Sequence, residues 1–370
     1  MSVRVNRLPS ADGRTIGQLV LEREAQLNAL NLEMIEILLS TLQGWQHDDD
    51  VVAVVLEGKG DKAFCAGGDV VGLSAAIAAA RTGCGERELG TVPAAAAVFF
   101  EREYRLDYLL HTFGKPVICV GAGIVMGGGM GLFTASGQRI VTERSRLAMP
   151  EVTIALYPDV GGSWFLNRLP PGLGEFIALT GCVLNAADSL WLGLANRFIA
   201  EARLNELWPR LQQSGSSAAE VLRELQAESA TELAGLDAPL SRHQALIGKL
   251  MDQDSLAGKV NAILEADISD AWFNRAQQTL AAGSPLAMAV IHRQLARSRH
   301  LSLAQVFQSE LALSVQLCRF REFAEGVRAR LIDKDNNPAW TFACLNEVDP
   351  ALLDTLLASP WGLSPLADIR

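Results

Sequence analysis

The feature that most constrains how this chain folds is a change of pattern near residue 205. Before it, short β-branched runs alternate with amphipathic helical stretches, the rhythm that builds layered α/β structure. Beyond it, helix-forming composition takes over, from Leu204 to Ala230 and again from Leu286 to Arg330, with few strand candidates. At 370 residues the chain exceeds the usual span of one hydrophobic core. We therefore expect two regions, a core over 1–205 and a helical region over 206–370.

Within the first region, Thr15 to Leu21 and Val51 to Leu56 read as strands, the second fully buried. Between them, Met34, Ile35, Ile37, Leu38, Leu42 and Trp45 recur at helical spacing. Helix is expected from Ala95 to Leu110, strand from Pro116 to Val120, a helix entry near Met130, and strand from Gln138 to Thr142. Ala75 to Thr91 reads as a mobile or helical excursion. Pro116 to Gln138 lacks charge and is long enough to raise the question of a membrane span. Its seven glycines favour a buried strand and loop instead.

Composition narrows the function. A formal charge of −10 disfavours a broad nucleic-acid surface, which needs clustered cations. Six scattered cysteines without a CxxC pair suggest neither a disulfide framework nor a zinc site, and no structural metal is expected. The first residues lack the long apolar core of a secretory signal, so a cytoplasmic protein is expected.

Three segments carry chemistry. Two are glycine-rich turns, AFCAGGDV (Ala63 to Val70) and GIVMGGGMGL (Gly123 to Leu132), each after a buried strand. A dinucleotide fingerprint fails because Met126 stands where its third glycine would fall, and no GxxxxGK[ST] motif occurs. The turns are either simple tight turns or presenters of backbone N–H groups that bind an oxygen becoming negative during acyl transfer. The third segment, MPEVTIALYPDVGGSWFLNRLP, sets Glu151 and Asp159 among apolar residues, where a charge is unfavourable unless paired or used. A capping Asp and a surface Glu would be the plain explanation. A desolvated carboxylate doing base or nucleophile work is the sharper one.

In this order and spacing the three segments resemble the crotonase (enoyl-CoA hydratase/isomerase) superfamily. MPEVTIALYPDVGG, FFEREYRLDYLL and the late EGVRARLIDKDNNPAW look like its 3-hydroxyisobutyryl-CoA hydrolase branch. The resemblance weakens across Ala75 to Val98 and Gln212 to Gly283. It implies a crotonase-type spiral core of ββα repeats with an α-helical C-terminal region that covers the pocket or mediates self-association. It also implies a role in valine catabolism.

Carried over by position, the oxyanion donors would be the N–H groups of Gly68 and Gly128. Glu151 falls at the family's catalytic glutamate, Asp159 at the branch's second acid, and Glu103 at a glutamate of the acyl pocket; a solvated helix glutamate is the plain alternative for Glu103. Hydratases of the superfamily carry another glutamate shortly after the glycine triplet, where this chain has Gly131. Two-glutamate hydration is thereby disfavoured and thioester hydrolysis favoured.

The expected substrate is a short β-hydroxyacyl-CoA, with Glu151 acting as nucleophile or as general base. The expected partners are this acyl-CoA and, as an open option, a second copy of the chain, with neither nucleic acid nor membrane. CoA arrives as part of the substrate and no further cofactor is expected. Its nucleotide would lie near Glu22 to Asn28, with Arg23 and Lys62 as candidate phosphate ligands. An isomerase or hydratase using Glu151 as sole base is the alternative, and an acyl-CoA-binding protein without activity is a third.

Overall fold

The structure, a computed structural model, describes residues 2–213 and 217–370. It comprises two compact units, each assembled from three stretches of chain. The first takes Met1–Gly68, Arg105–Leu147 and Val183–Arg242; the second takes Asp69–Tyr104, Ala148–Cys182 and His243–Arg370.

The first unit is built on two sheets. β1 (Val3–Pro9), β2 (Thr15–Leu21), β3 (Val51–Gly58), β5 (Val117–Gly121), β7 (Gln138–Val141) and β9 (Arg197–Phe198) form the larger one, in that spatial order. β4 (Ala63–Cys65), β6 (Ile124–Met126) and β8 (Arg146–Ala148) form the smaller one. From β3 onward successive strands alternate between the two sheets, so the chain winds as a spiral. β1 and β2 are antiparallel, and the other pairings resolved in the larger sheet are parallel. Every residue of β5 is buried, as parallel strands covered on both faces require.

One face of the larger sheet presents Ile16, Ala53, Val55, Ile118, Val120 and Ile140 to Leu207 and Leu211 of the helix Leu204–Gln213 and to Val221, Leu222 and Leu225 of the helix Ala218–Glu228. Each such buried aliphatic side chain contributes on the order of 1.5–3 kcal/mol. Residue 205 consequently lies inside the first unit, because these helices cover the sheet. Residues 214–216, within the helical stretch expected over 204–230, lie outside the described residues.

Helix α1 (Leu32–Gln46) begins where Asn31 accepts a hydrogen bond from the Met34 N–H at 2.9 Å, and it buries Met34, Ile35, Leu38, Leu39, Leu42 and Trp45 on one face. Helix α2 (Val70–Ala80) starts earlier than expected and is followed by a turn-rich stretch over 81–93. That stretch is pinned within the second unit by the Arg81 guanidinium, which donates to the carbonyls of Gly85, Glu88 and Arg319 at 3.0, 2.7 and 2.7 Å. Helix α3 (Ala94–His111) follows the expected span closely. The uncharged segment after Pro116 becomes β5, β6 and helix α4 (Gly128–Ala135). Among the described residues no helix is long and apolar enough to cross a membrane, and no strand follows β9.

Candidate active site

The glycines of both turns belong to the first unit, where the turns pack on one another. The carbonyl oxygen of Cys65 lies only 2.3 Å from where a Cβ on Gly129 would stand, a separation that glycine alone allows. Gly128 is the first residue of α4, so its N–H has no acceptor within the helix. Gly68 is half-buried beside Leu30. The Arg23 side chain donates to the Ala29 carbonyl at 2.7 Å and so braces the turn over residues 23–29, while Lys62 is exposed.

The acidic residues belong to the second unit. A short 3-10 turn, Glu151–Ile154, follows Pro150 and ends at Ala155 in the left-handed region, with the Leu156 N–H returning to the Glu151 carbonyl at 3.0 Å. The chain then turns again over Asp159, with the Gly162 N–H donating to the Asp159 carbonyl at 2.6 Å before helix α5 (Gly162–Leu166). This double turn sends both side chains inward. Glu151 and Asp159 are only 5% and 4% exposed, and Glu103 on α3 is 2% exposed. Residues that the sequence separates by up to 56 positions are thus brought into one electrostatically linked group.

Burial is the main cause of what happens to their protons. It pushes the Glu151 carboxyl well above the usual range, and the neighbouring Asp159 and Glu103 push further. Glu103 moves the same way, through burial first and then Asp159. Asp159 rises less, to about 6, because the Tyr104 hydroxyl donates to its Oδ2 at 2.6 Å and favours the ionised form. Glu103 Oε1 and Glu151 Oε2 find no hydrogen-bond partner among the described residues. A buried oxygen left unpaired is unfavourable by ~1–3 kcal/mol, which makes both atoms natural receivers of a substrate or water hydrogen bond.

Four supporting residues escaped the sequence reading. Tyr104 and Tyr157 look like core aromatics, and both are fully buried. Ser314 and Glu310 sit one turn apart on the helix Leu303–Cys318, whose inward face is otherwise largely apolar. Glu310 accepts from the Gly161 and Ser163 N–H groups at 2.8 and 2.9 Å, holding the backbone just past Asp159, and burial raises its carboxyl to about 8. Two polar side chains four apart on a buried helical face were the available signal.

The late EGVRARLIDKDNNPAW segment proves to be a buttress. Gly326, in the helix Arg321–Val327, approaches so closely that a Cβ there would lie 2.5 Å from Ile154 Cα. Arg328 donates to Glu325, Asp333 and Asp335 and closes the loop that follows. We expect Gly326→Ala to destabilise the protein by ~1–3 kcal/mol in urea unfolding and to lower activity by displacing the Glu151 turn. Unchanged stability would show that the helix yields without strain.

The enoyl-CoA hydratase/isomerase family model matches residues 16–357. The chain is 35% identical to the zebrafish (Danio rerio) protein named 3-hydroxyisobutyryl-CoA hydrolase, mitochondrial, over 93% of this chain and 87% of that one. It is likewise 35% identical to the human (Homo sapiens) protein of the same name, over 90% and 83%. Among solved structures, a carnitinyl-CoA dehydratase from Mycobacterium thermoresistibile matches with a TM-score of 0.85 and 30% identity over 98% of each chain. Strands alternating between two sheets, followed by many helices, form the crotonase-type spiral with its helical C-terminal region. A match along nearly its whole length, in sequence and in fold, places this chain in the enoyl-CoA hydratase/isomerase family.

Proposed function

We propose that this protein hydrolyses the thioester of a short β-hydroxyacyl-CoA, of the 3-hydroxyisobutyryl-CoA kind, to the free acid and CoA. The observation that carries the reading is the buried pair Glu151 and Asp159 with Glu103 beside them, in a chain about one-third identical to named hydrolases. In this reading the N–H groups of Gly68 and Gly128 stabilise the oxyanion formed on the thioester carbonyl, each contributing ~3–4 kcal/mol to the transition state. Glu151 attacks the acyl carbon or activates water. Asp159 delivers a proton to the departing thiolate, and Glu103, whose Oε1 has no partner among the described residues, accepts a hydrogen bond from the acyl hydroxyl. CoA is part of the substrate, and the chemistry as written calls on no other cofactor.

The helical region from residue 206 to the C-terminus supports the acyl end, a role consistent with the hold of Glu310 on the Asp159 turn. Self-association is the other use open to it. We assign the protein to the cytoplasm and its activity to valine catabolism; the vertebrate relatives, in contrast, carry the word mitochondrial in their names.

A panel of short acyl-CoAs, with thiol release followed by a thiol reagent, tests the reading. Saturated β-hydroxyacyl-CoAs should release CoASH at least about tenfold faster than unhydroxylated ones of the same length. Consumption of enoyl-CoA without thiol release would instead support an isomerase or hydratase with Glu151 as sole base, the reading favoured by the dehydratase name of the structural neighbour.

A further inference from the structure

We propose that Tyr104, seated by Ser314 and Tyr157, is a positioning residue that hydrogen-bonds Asp159 both with and without its proton, so that Asp159 can cycle as an acid and a base. This deepens the hydrolase reading and rests on it for the identity of the reaction.

Tyr104 Oη lies 2.6 Å from Asp159 Oδ2 and 2.6 Å from Ser314 Oγ, which lies 3.0 Å from Tyr157 Oη; the Tyr157 hydroxyl meets the Glu310 backbone carbonyl at 2.8 Å. A carbonyl only accepts, so Tyr157 donates there and forms the fixed end. With Asp159 ionised, Tyr104 donates to the carboxylate and Ser314 donates to Tyr104. With Asp159 protonated, Asp159 donates to Tyr104, Tyr104 to Ser314, and Ser314 to Tyr157. Every hydroxyl hydrogen is used in both states, and only the Tyr104 and Ser314 hydroxyls rotate between them. A single aromatic or aliphatic contact at Asp159 would serve one state alone.

The chain conducts no net proton; it accommodates one that arrives and leaves on the substrate side. When the C–S bond breaks, sulfur departs with the bonding pair and takes the proton of Asp159, giving CoASH. Water then supplies its hydroxyl to the acyl carbon and its remaining proton to Asp159, which restores the starting state.

The groups that face Asp159 are Glu103 and Tyr104 from α3, Glu151 and Tyr157 from its own segment, and Glu310 and Cys318 from the helix Leu303–Cys318. Of these, the Tyr104 hydroxyl bonds the carboxylate directly.

Two variants of the full chain act in opposite directions. Tyr104→Phe removes the donor to the ionised form, so the alkaline limb of kcat against pH, where Asp159 loses the proton it must deliver, should move up by about one pH unit with KM little changed. Ser314→Ala leaves that donor but removes the acceptor that Tyr104 needs when Asp159 is protonated, so the limb should move down. Difference infrared or 13C NMR of the labelled Asp159 carboxylate should show the same two movements without any turnover. A merely structural role would lower activity in both variants while leaving the titration in place, or would move it in one direction only, and either result overturns the proposal. If Tyr104→Phe fails to fold, the direction of the Ser314→Ala movement decides. If the wild type releases no thiol from any acyl-CoA, the hydrolase reading fails, while the carboxylate titrations still judge the role of Tyr104.

Discussion

Glu151→Gln is expected to reduce CoASH release by about 10²–10⁴-fold, the range associated with losing a positioned acid or base, with KM nearly unchanged. The substitution keeps the shape of the side chain. Burial already biases Glu151 toward its neutral form in the resting protein, so a neutral amide fits the same surroundings and the fold should persist. What the amide cannot do is attack a carbonyl carbon or accept a proton from water. Borohydride added during turnover separates the two mechanisms: a mixed anhydride at Glu151 is reduced to the alcohol, a mass change on the peptide that holds residue 151, whereas a general base leaves the side chain intact. Near-normal turnover of the variant across the acyl-CoA panel would remove Glu151 from the mechanism.

The second large effect concerns stability and has the opposite sign to the effect on activity. Asp159 has a folded-state pKa of about 6 against 3.8 for the free side chain. The folded protein therefore binds more protons than the unfolded chain between these values. The resulting stabilisation is fully present below about 3.8 and is lost as pH rises through about 6. A difference of about 2 in pKa corresponds to ~3 kcal/mol. Asp159→Asn, which cannot ionise, should thus be more stable than the wild type at pH 8 by ~2–3 kcal/mol and nearly equal to it at pH 4. Its asparagine oxygen still accepts from Tyr104.

Glu103, Glu151 and Glu310 move in the same direction, Glu310 to about 8, so the wild type itself should lose stability from about pH 4 to pH 8. Urea unfolding at the two pH values measures both effects. A variant less stable than wild type at pH 8 would mean that the Asp159 carboxylate is a net stabiliser in place. The hydrolase role requires the contrary, an acid kept in unfavourable surroundings for use.

Much of the architecture follows from local pattern. β2, β3, β5, α1 and α3 fall where periodicity and burial place them, because each shows its own hydrophobic spacing over seven or more residues or an unbroken apolar run, and the short β7 also lies where a strand is expected. β1 was not legible: VRVNRLP is an edge strand with all but Val3 at least partly exposed, and pairing with β2 alone makes it a strand. The three-residue strands of the smaller sheet are too short to carry a period at all.

At the candidate site the division is sharper. The residue types and spacing of MPEVTIALYPDVGG mark Glu151 and Asp159 as carboxylates in apolar company, and EREY supplies Glu103; that much lies in the sequence alone. Which groups surround them was decided by tertiary structure, since Tyr104, Tyr157, Glu310 and Ser314 come from three separate elements and act through contacts spanning 55 to 210 positions. A proton's preference for a carboxylate depends on burial and on the donors that reach it. Both are properties of packing, and no single stretch of residues contains them.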